Sequence, residues 1–273
     1  MKRWAPTLLI LALCTSAIRA DLTVTSTVSI EGAAPGMAGA GMTPQMTMRI
    51  KGLKARSDVE VNGQTQTSIT DLTTKQITVL QHAQKTAQVY GPGAVPIPVK
   101  PGAAPKVDAS SRATGRSRTI NGVQCDEYAV KMSMNMADFA ASPGMGAQTA
   151  DMMKDVLMVI SGSVWVAKAG PGVADFTAFQ KAAAESNMAA AFGGVVPGMQ
   201  SGGFDRVLKA ISAMPGLPHL TELQMNVEGT GQMVEAMRKM GTMKVKNTVT
   251  AVSAETIPDD QFQVPADYKV IKQ

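Results

Sequence analysis

From Leu22 onward the chain alternates. Leu22, Val24, Val28 and Ile30 are apolar, and Thr23, Thr25, Thr27 and Ser29 between them are polar. A period of two sends one set to each face, so a half-buried strand is predicted here. Met46, Met48 and Ile50 repeat the pattern against Thr47 and Arg49. Val59 and Val61 end the next strand, and Asn62-Gly63 marks a two-residue hairpin, because such a turn needs positive φ at both positions. Further strands are read over 64–70, 76–82 and 86–90, with a turn at 71–75. Residues 91–112 are rich in Pro, Gly and Ala and show no period, so they read as a long loop. Pairing resumes over 116–120, turns at Asn121-Gly122, and continues over 123–136. Gly162 to Lys168 reads as a strand carrying Trp165, and strands return at Leu220–Val227 and Met243–Val252. Residues 257–268 read as an extended closing segment. With no strand–helix–strand crossover, the pattern predicts antiparallel pairing.

The middle of the chain has another period. Phe204, Val207, Leu208, Ile211 and Met214 form one apolar stripe at helical spacing. Met152, Val156 and Ile160 form a weaker one, and a third amphipathic stretch begins at Phe176 and Phe179. Met233, Met237 and Met240 also lie at helical spacing. Such helices cannot bury their stripes alone and must lie on the sheet. The expected fold is therefore α+β: one domain over 21–273, a strongly curved antiparallel sheet, and a helical insert over 148–214 on its concave face. Loops are expected at 31–44, 91–112 and 137–150.

Composition sets the compartment. Lys2 and Arg3, the apolar run Leu8–Leu13, and Ile18-Arg19-Ala20 follow the order of a cleavable secretory signal over 1–20. The expectation is a periplasmic or secreted protein cut near Ala20. The apolar run is too short to span a bilayer, and no later segment does better. Leu11-Ala12-Leu13-Cys14 partly matches a lipobox, but Leu13 stands where a small residue is usual, so lipidation is not expected. Cys125 is then the remaining cysteine, read as a small buried hydrophobe, because Asp126 and Glu127 beside it raise a thiol pKa. The formal charge of +5 includes three basic residues of the signal, so the rest is nearly balanced. No basic stripe exists for phosphate, and nucleic acid is not an expected partner.

The segment 120–128 (INGVQCDEY), Val164-Trp165-Val166, Pro215-Gly216-Leu217-Pro218 and the ending 262–269 (FQVPADYK) together resemble a bacterial secreted family similar to the periplasmic lipoprotein carriers LolA and LolB. The resemblance spans most of 21–273. It implies a half-barrel of antiparallel strands with a helical lid over an apolar cavity, in a Gram-negative periplasm.

Candidate chemistry is sparse. Methionine is abundant, with 20 residues, while aromatics make up 4%. Met132, Met134 and Met136 point to one face if the strand is regular, and soft thioethers suit Cu(I). The same side chains serve equally as flexible apolar filler. A curved sheet lined by Met46, Met48, Ile50, Tyr128, Met132, Met134, Met136 and Trp165 could hold an apolar ligand, a lipid or a lipoprotein. That is the leading expectation. A Met-based copper(I) binder and an envelope interaction module using loops and a sheet edge are the alternatives. No catalytic residue, resident metal or cofactor is assigned. His82 and His219 stand in no nucleophile context, and Asp259-Asp260 point apart on a strand.

Overall fold

The computed structural model describes residues 21–32, 43–92, 107–140, 151–186, 188, 210, 214–239 and 241–273. The signal segment, most of the three expected loops, and Phe204, Val207, Leu208 and Ile211 of the helical stripe lie outside the described residues.

Twelve strands form one open, mixed sheet with few helices. In chain order they are β1 (Leu22–Glu31), β2 (Gln45–Lys51), β3 (Lys54–Val61), β4 (Gln64–Asp71), β5 (Gln76–Gln81), β6 (Thr86–Tyr90), β7 (Val107–Ile120), β8 (Val123–Asn135), β9 (Val156–Ala167), β10 (Leu217–Gly229), β11 (Met243–Ser253) and β12 (Lys269–Lys272). The helices described over their whole length are α1 (Met136–Ala140), α2 (Val173–Glu185) and α3 (Gln232–Lys239). The spatial order is β12-β6-β5-β4-β3-β2-β1-β11-β10-β9-β8-β7. Two antiparallel meanders, β1 to β6 and β7 to β11, thus meet where β1 pairs β11. Both Asn-Gly turns are formed as expected, with positive φ at Asn62, Gly63, Asn121 and Gly122.

Three elements depart from the sequence reading. Val156–Ile160 belongs to β9, not to a helix; β-branched Val156, Val159 and Ile160 favour the pleated surface, and β8 and β10 flank it on both sides. The helical insert expected over 148–214 is thus interrupted by a twelve-residue strand. The loop expected over 91–112 gives way to β7 already at Val107. The closing segment ends in β12, which pairs with β6 in parallel, an exception to the antiparallel order.

The main core lies between the sheet and α2. Val173, Phe176, Phe179 and Ala183 of the helix pack with Leu22, Ile50, Ile77, Cys125, Trp165 and Leu220. Tyr90 of β6 and Val123 of β8 border the same cluster, so strands near opposite edges of the sheet contribute to one core. Gly172 starts α2 at φ 71°, and a Cβ there would stand 2.2 Å from a methyl of Leu22. Glycine is therefore required both by conformation and by contact.

On β5, Ile77 and Val79 join that core, and Leu80 points to the other face. There Ile69, Leu80 and Ala87 are covered by Ile257, Phe262, Val264 and Tyr268 of the closing segment. Polar ties fasten it: Lys51 Nζ donates to the Ile257 carbonyl at 2.7 Å, and Arg56 Nη1 to the Gln261 carbonyl at 3.0 Å. His82 Nδ1 lies 2.6 Å from the Tyr268 hydroxyl, and His82 Nε2 lies 2.8 Å from Thr67 Oγ1. Thr67 donates its one proton to Asp58, so Nε2 must donate to Thr67. His82 is thus accounted for as a structural tie, consistent with its lack of nucleophile context.

Candidate functional site: a polar groove beside Trp165

Strand register sorts the eight expected lining residues. β8 and β9 pair without a shift, Glu127 opposite Trp165, Tyr128 opposite Val164, Met132 opposite Ile160 and Met134 opposite Met158. Alternation places Trp165 and Glu127 on one face and Tyr128, Met132 and Met134 on the other. Ile50 and Met48 share the α2 core with Trp165, and Met46 follows on the same face of β2. Met136 opens α1 and lies outside the strand. The structure therefore packs Met48, Ile50 and Trp165 in the α2 cluster, with Met46 next along the same face of β2 as Met48. Tyr128 packs instead with Val164, Val166 and Met214, and Met132 and Met134 with Val107, Ile160 and Leu223. The eight do not line one space. Periodicity fixes which residues share a face of one strand, but not which faces of distant strands coincide.

Beyond Trp165, on its face of β9, lies a groove of about 490 Å³ across β1 and β7 to β11. Its floor follows from register. Ala129, Ser163, Glu222, Lys246 and Ser29 are successive cross-strand partners, and Ser161, Gln224, Lys244 and Glu31 form the next row. Small residues on β9, Ser161, Gly162 and Ser163, lie between long side chains on the flanking strands. The depression is where β9 has little side chain to fill it. Opposite charges face each other across the ladder, Glu222 with Lys246 and Glu31 with Lys244. Arg118 links this row to the core: its guanidinium lies 4.0 Å from the Trp165 ring centroid, and its Nη2 is 3.5 Å from Glu222. Sequence reasoning missed this groove. Its signal was present in the polar set of β9 to β11, which the sequence reading did not single out.

Glu127 is the groove's buried charge, 4% exposed. Burial pushes its carboxyl upward, but hydrogen bonds from Thr114 and Arg116, with the charges of Arg116 and Arg118, outweigh that and hold it below the usual glutamate range. Arg116 donates through Nε and Nη2, the latter at 2.6 Å, and Thr114 Oγ1 donates at 2.6 Å. A lowered folded-state pKa contributes stability above the ordinary value of about 4.3, and that contribution is lost as pH falls through the folded value. Two expectations follow for Glu127→Gln. It should be less stable than wild type at neutral pH, and its stability should fall less steeply between about pH 5 and 3. Urea titrations at several pH values measure both; parallel acid losses in the two proteins would remove this role.

Cys125 is buried beside Ala167 in the α2 core. Burial first, then Asp126, pushes its thiol up, against a smaller opposing effect of Arg118. A thiol so placed is a poor nucleophile. His219 sits buried in a bulge between Pro218 and Leu220, and burial pushes its pKa down. Among the described residues, no group of three or more His, Cys, Asp and Glu side chains could hold a metal ion. No helix among them is long and apolar enough to cross a membrane.

No known protein-family model and no curated protein sequence matches the chain. Among solved structures, it is similar to an uncharacterized conserved protein from Thermus thermophilus. The TM-score is 0.38 at 8% identity, over 94% of this chain and 92% of that one.

Proposed function

We propose that the protein is an exported, non-catalytic binding protein of the Gram-negative periplasm. It is built as a strongly curved half-barrel in the manner of the LolA and LolB carriers that its motifs resemble. It binds an amphipathic, lipid- or lipoprotein-like ligand, with the polar part along the groove and the apolar part against the half-buried side chains beside α2. One observation carries this reading. A charged groove and a helix-covered apolar cluster meet at Trp165, which shares the groove's face of β9 and packs in that cluster. Curvature is supported by the reach of the α2 cluster from β6 to β8. In a flat sheet those strands would stand roughly 40 Å apart.

The polar lining revises the ligand. Serines, glutamates and lysines do not solvate an acyl chain, but they do suit a zwitterionic head group. Met48, half-buried in the α2 cluster, and half-buried Met46 beside it supply adaptable apolar surface.

Displacement of a fluorescent fatty acid and mass spectrometry of organic extracts test the reading. Ser163→Trp, which fills the groove floor, should weaken probe binding about tenfold, equivalent to ~1.4 kcal/mol, while the fold is retained. A wild-type protein that neither binds the probe nor carries extractable lipid would sink it.

A further inference from the structure

We infer a second, separate site: a thioether cluster on the opposite face of the sheet that binds Cu(I). It does not depend on the lipid reading, because its residues point away from the groove.

Register assembles the cluster. Met134 faces Met158 across the β8–β9 ladder, Met132 is two residues back on the same face, and Met225 of β10 shares the row of Met132 through Ile160. All four pack in one group with Val107, Ile160 and Leu223. Directly facing pairs have Cβ atoms about 4.5–5.5 Å apart and diagonal ones roughly 7–8 Å. Methionine is unbranched and turns about three bonds, so three sulfurs can converge on one ion. Met158 and Met225 are half-buried, which leaves a path from solvent, whereas Met132 and Met134 are buried beneath them.

Plain core filling does not explain the concentration. In this group four of the nine side chains are methionine. In the cluster that seats the closing segment, all seven are other residue types. In the larger main core, two of twenty-four are methionine, Met48 and Met188. The donor set is thioether alone: His82 is tied to Thr67 and Tyr268 at the end of β5, and His219 sits in the β10 bulge, six residues along the strand from Met225. Soft, neutral sulfur ligands select Cu(I) and disfavour Zn(II), which takes thiolate, imidazole and carboxylate.

The test is anaerobic competition for Cu(I) between the purified protein and bicinchoninate, with ascorbate present. We expect one Cu(I) per chain at a Kd below about 1 μM and no comparable uptake of Zn(II). In protein carrying ¹³C-methyl methionine, the signals of Met134 and Met158 should move on addition of Cu(I), and that of Met46 should not. The double variant Met134→Leu/Met158→Leu keeps the volume, so it should keep the fold while losing affinity by about 30-fold or more. Micromolar or weaker binding by wild type overturns the site. So does undiminished affinity in a double variant whose circular dichroism is unchanged. Loss of Cu(I) binding with retained fatty-acid displacement, or the reverse, separates this site from the groove.

Discussion

Phe179→Ala will cost about 3–5 kcal/mol, a large part of the roughly 5–15 kcal/mol that typically holds a domain folded. Phe179 is 1% exposed and is among the largest fully buried side chains. It lies on α2 between side chains that arrive from both meanders, Leu22 and Ile50 from one and Cys125, Trp165 and Leu220 from the other. Removing the ring opens a cavity that backbone relaxation cannot close, because the surrounding strands are fixed by ladder hydrogen bonds. The thermal midpoint should drop on the order of 10 °C. Circular dichroism melts check this, and a shift within experimental error would mean that α2 is not the central prop.

Gly162→Val will be comparably damaging for an unrelated reason. Gly162 has ordinary negative-φ backbone, so conformation is not the issue. A Cβ there would meet the Glu222 carbonyl oxygen at 1.9 Å and Leu223 Cα at 2.9 Å, both backbone atoms of β10. No flexible side chain is available to give way. The strands must separate, and the hydrogen bonds around Gly162 and Leu223 lengthen with them. Forcing volume into a packed site costs about 1–3 kcal/mol, and more when the ladder itself must move. Gly162→Ala should show the same sign at smaller size, because even one methyl meets the carbonyl. Urea midpoints of the two variants, falling in the order glycine, alanine, valine, are the expected result. Equal midpoints for glycine and valine would show that β9 and β10 do not approach so closely.

The sequence carried much of the strand plan, and physical reasons mark where it stopped. Alternation found β1, β2, β8, β10 and β11, and Asn-Gly placed two turns, because both signals are local. Val156–Ile160 was read as helix because a few apolar residues at spacing four fit either period; pairing with both β8 and β10 decided it. The parallel partnership of β12 with β6 has no local signature at all. For the site, Met48, Ile50 and Trp165 were placed together and do pack in the α2 cluster. Met132 and Met134 share a sheet face with Met46, Met48 and Ile50 when the ladders are followed from β8 to β2, but they lie far along it and pack in a cluster of their own, a distance that alternation within one strand cannot report. The groove went unread because its floor is defined by side chains that are small, and absence of volume leaves little trace in a hydropathy pattern.

The seam between β1 and β11 joins Thr23 to Ser253. Each meander is built from neighbours in sequence and can nucleate by itself, but this junction cannot form until nearly the whole polypeptide has been made. Closing so long a span carries a loop-entropy cost that local hairpins avoid, and such high contact order slows folding. The growing chain therefore holds its first strand without one of its two final neighbours throughout synthesis. That interval, rather than the finished fold, is when a chaperone would find most to hold.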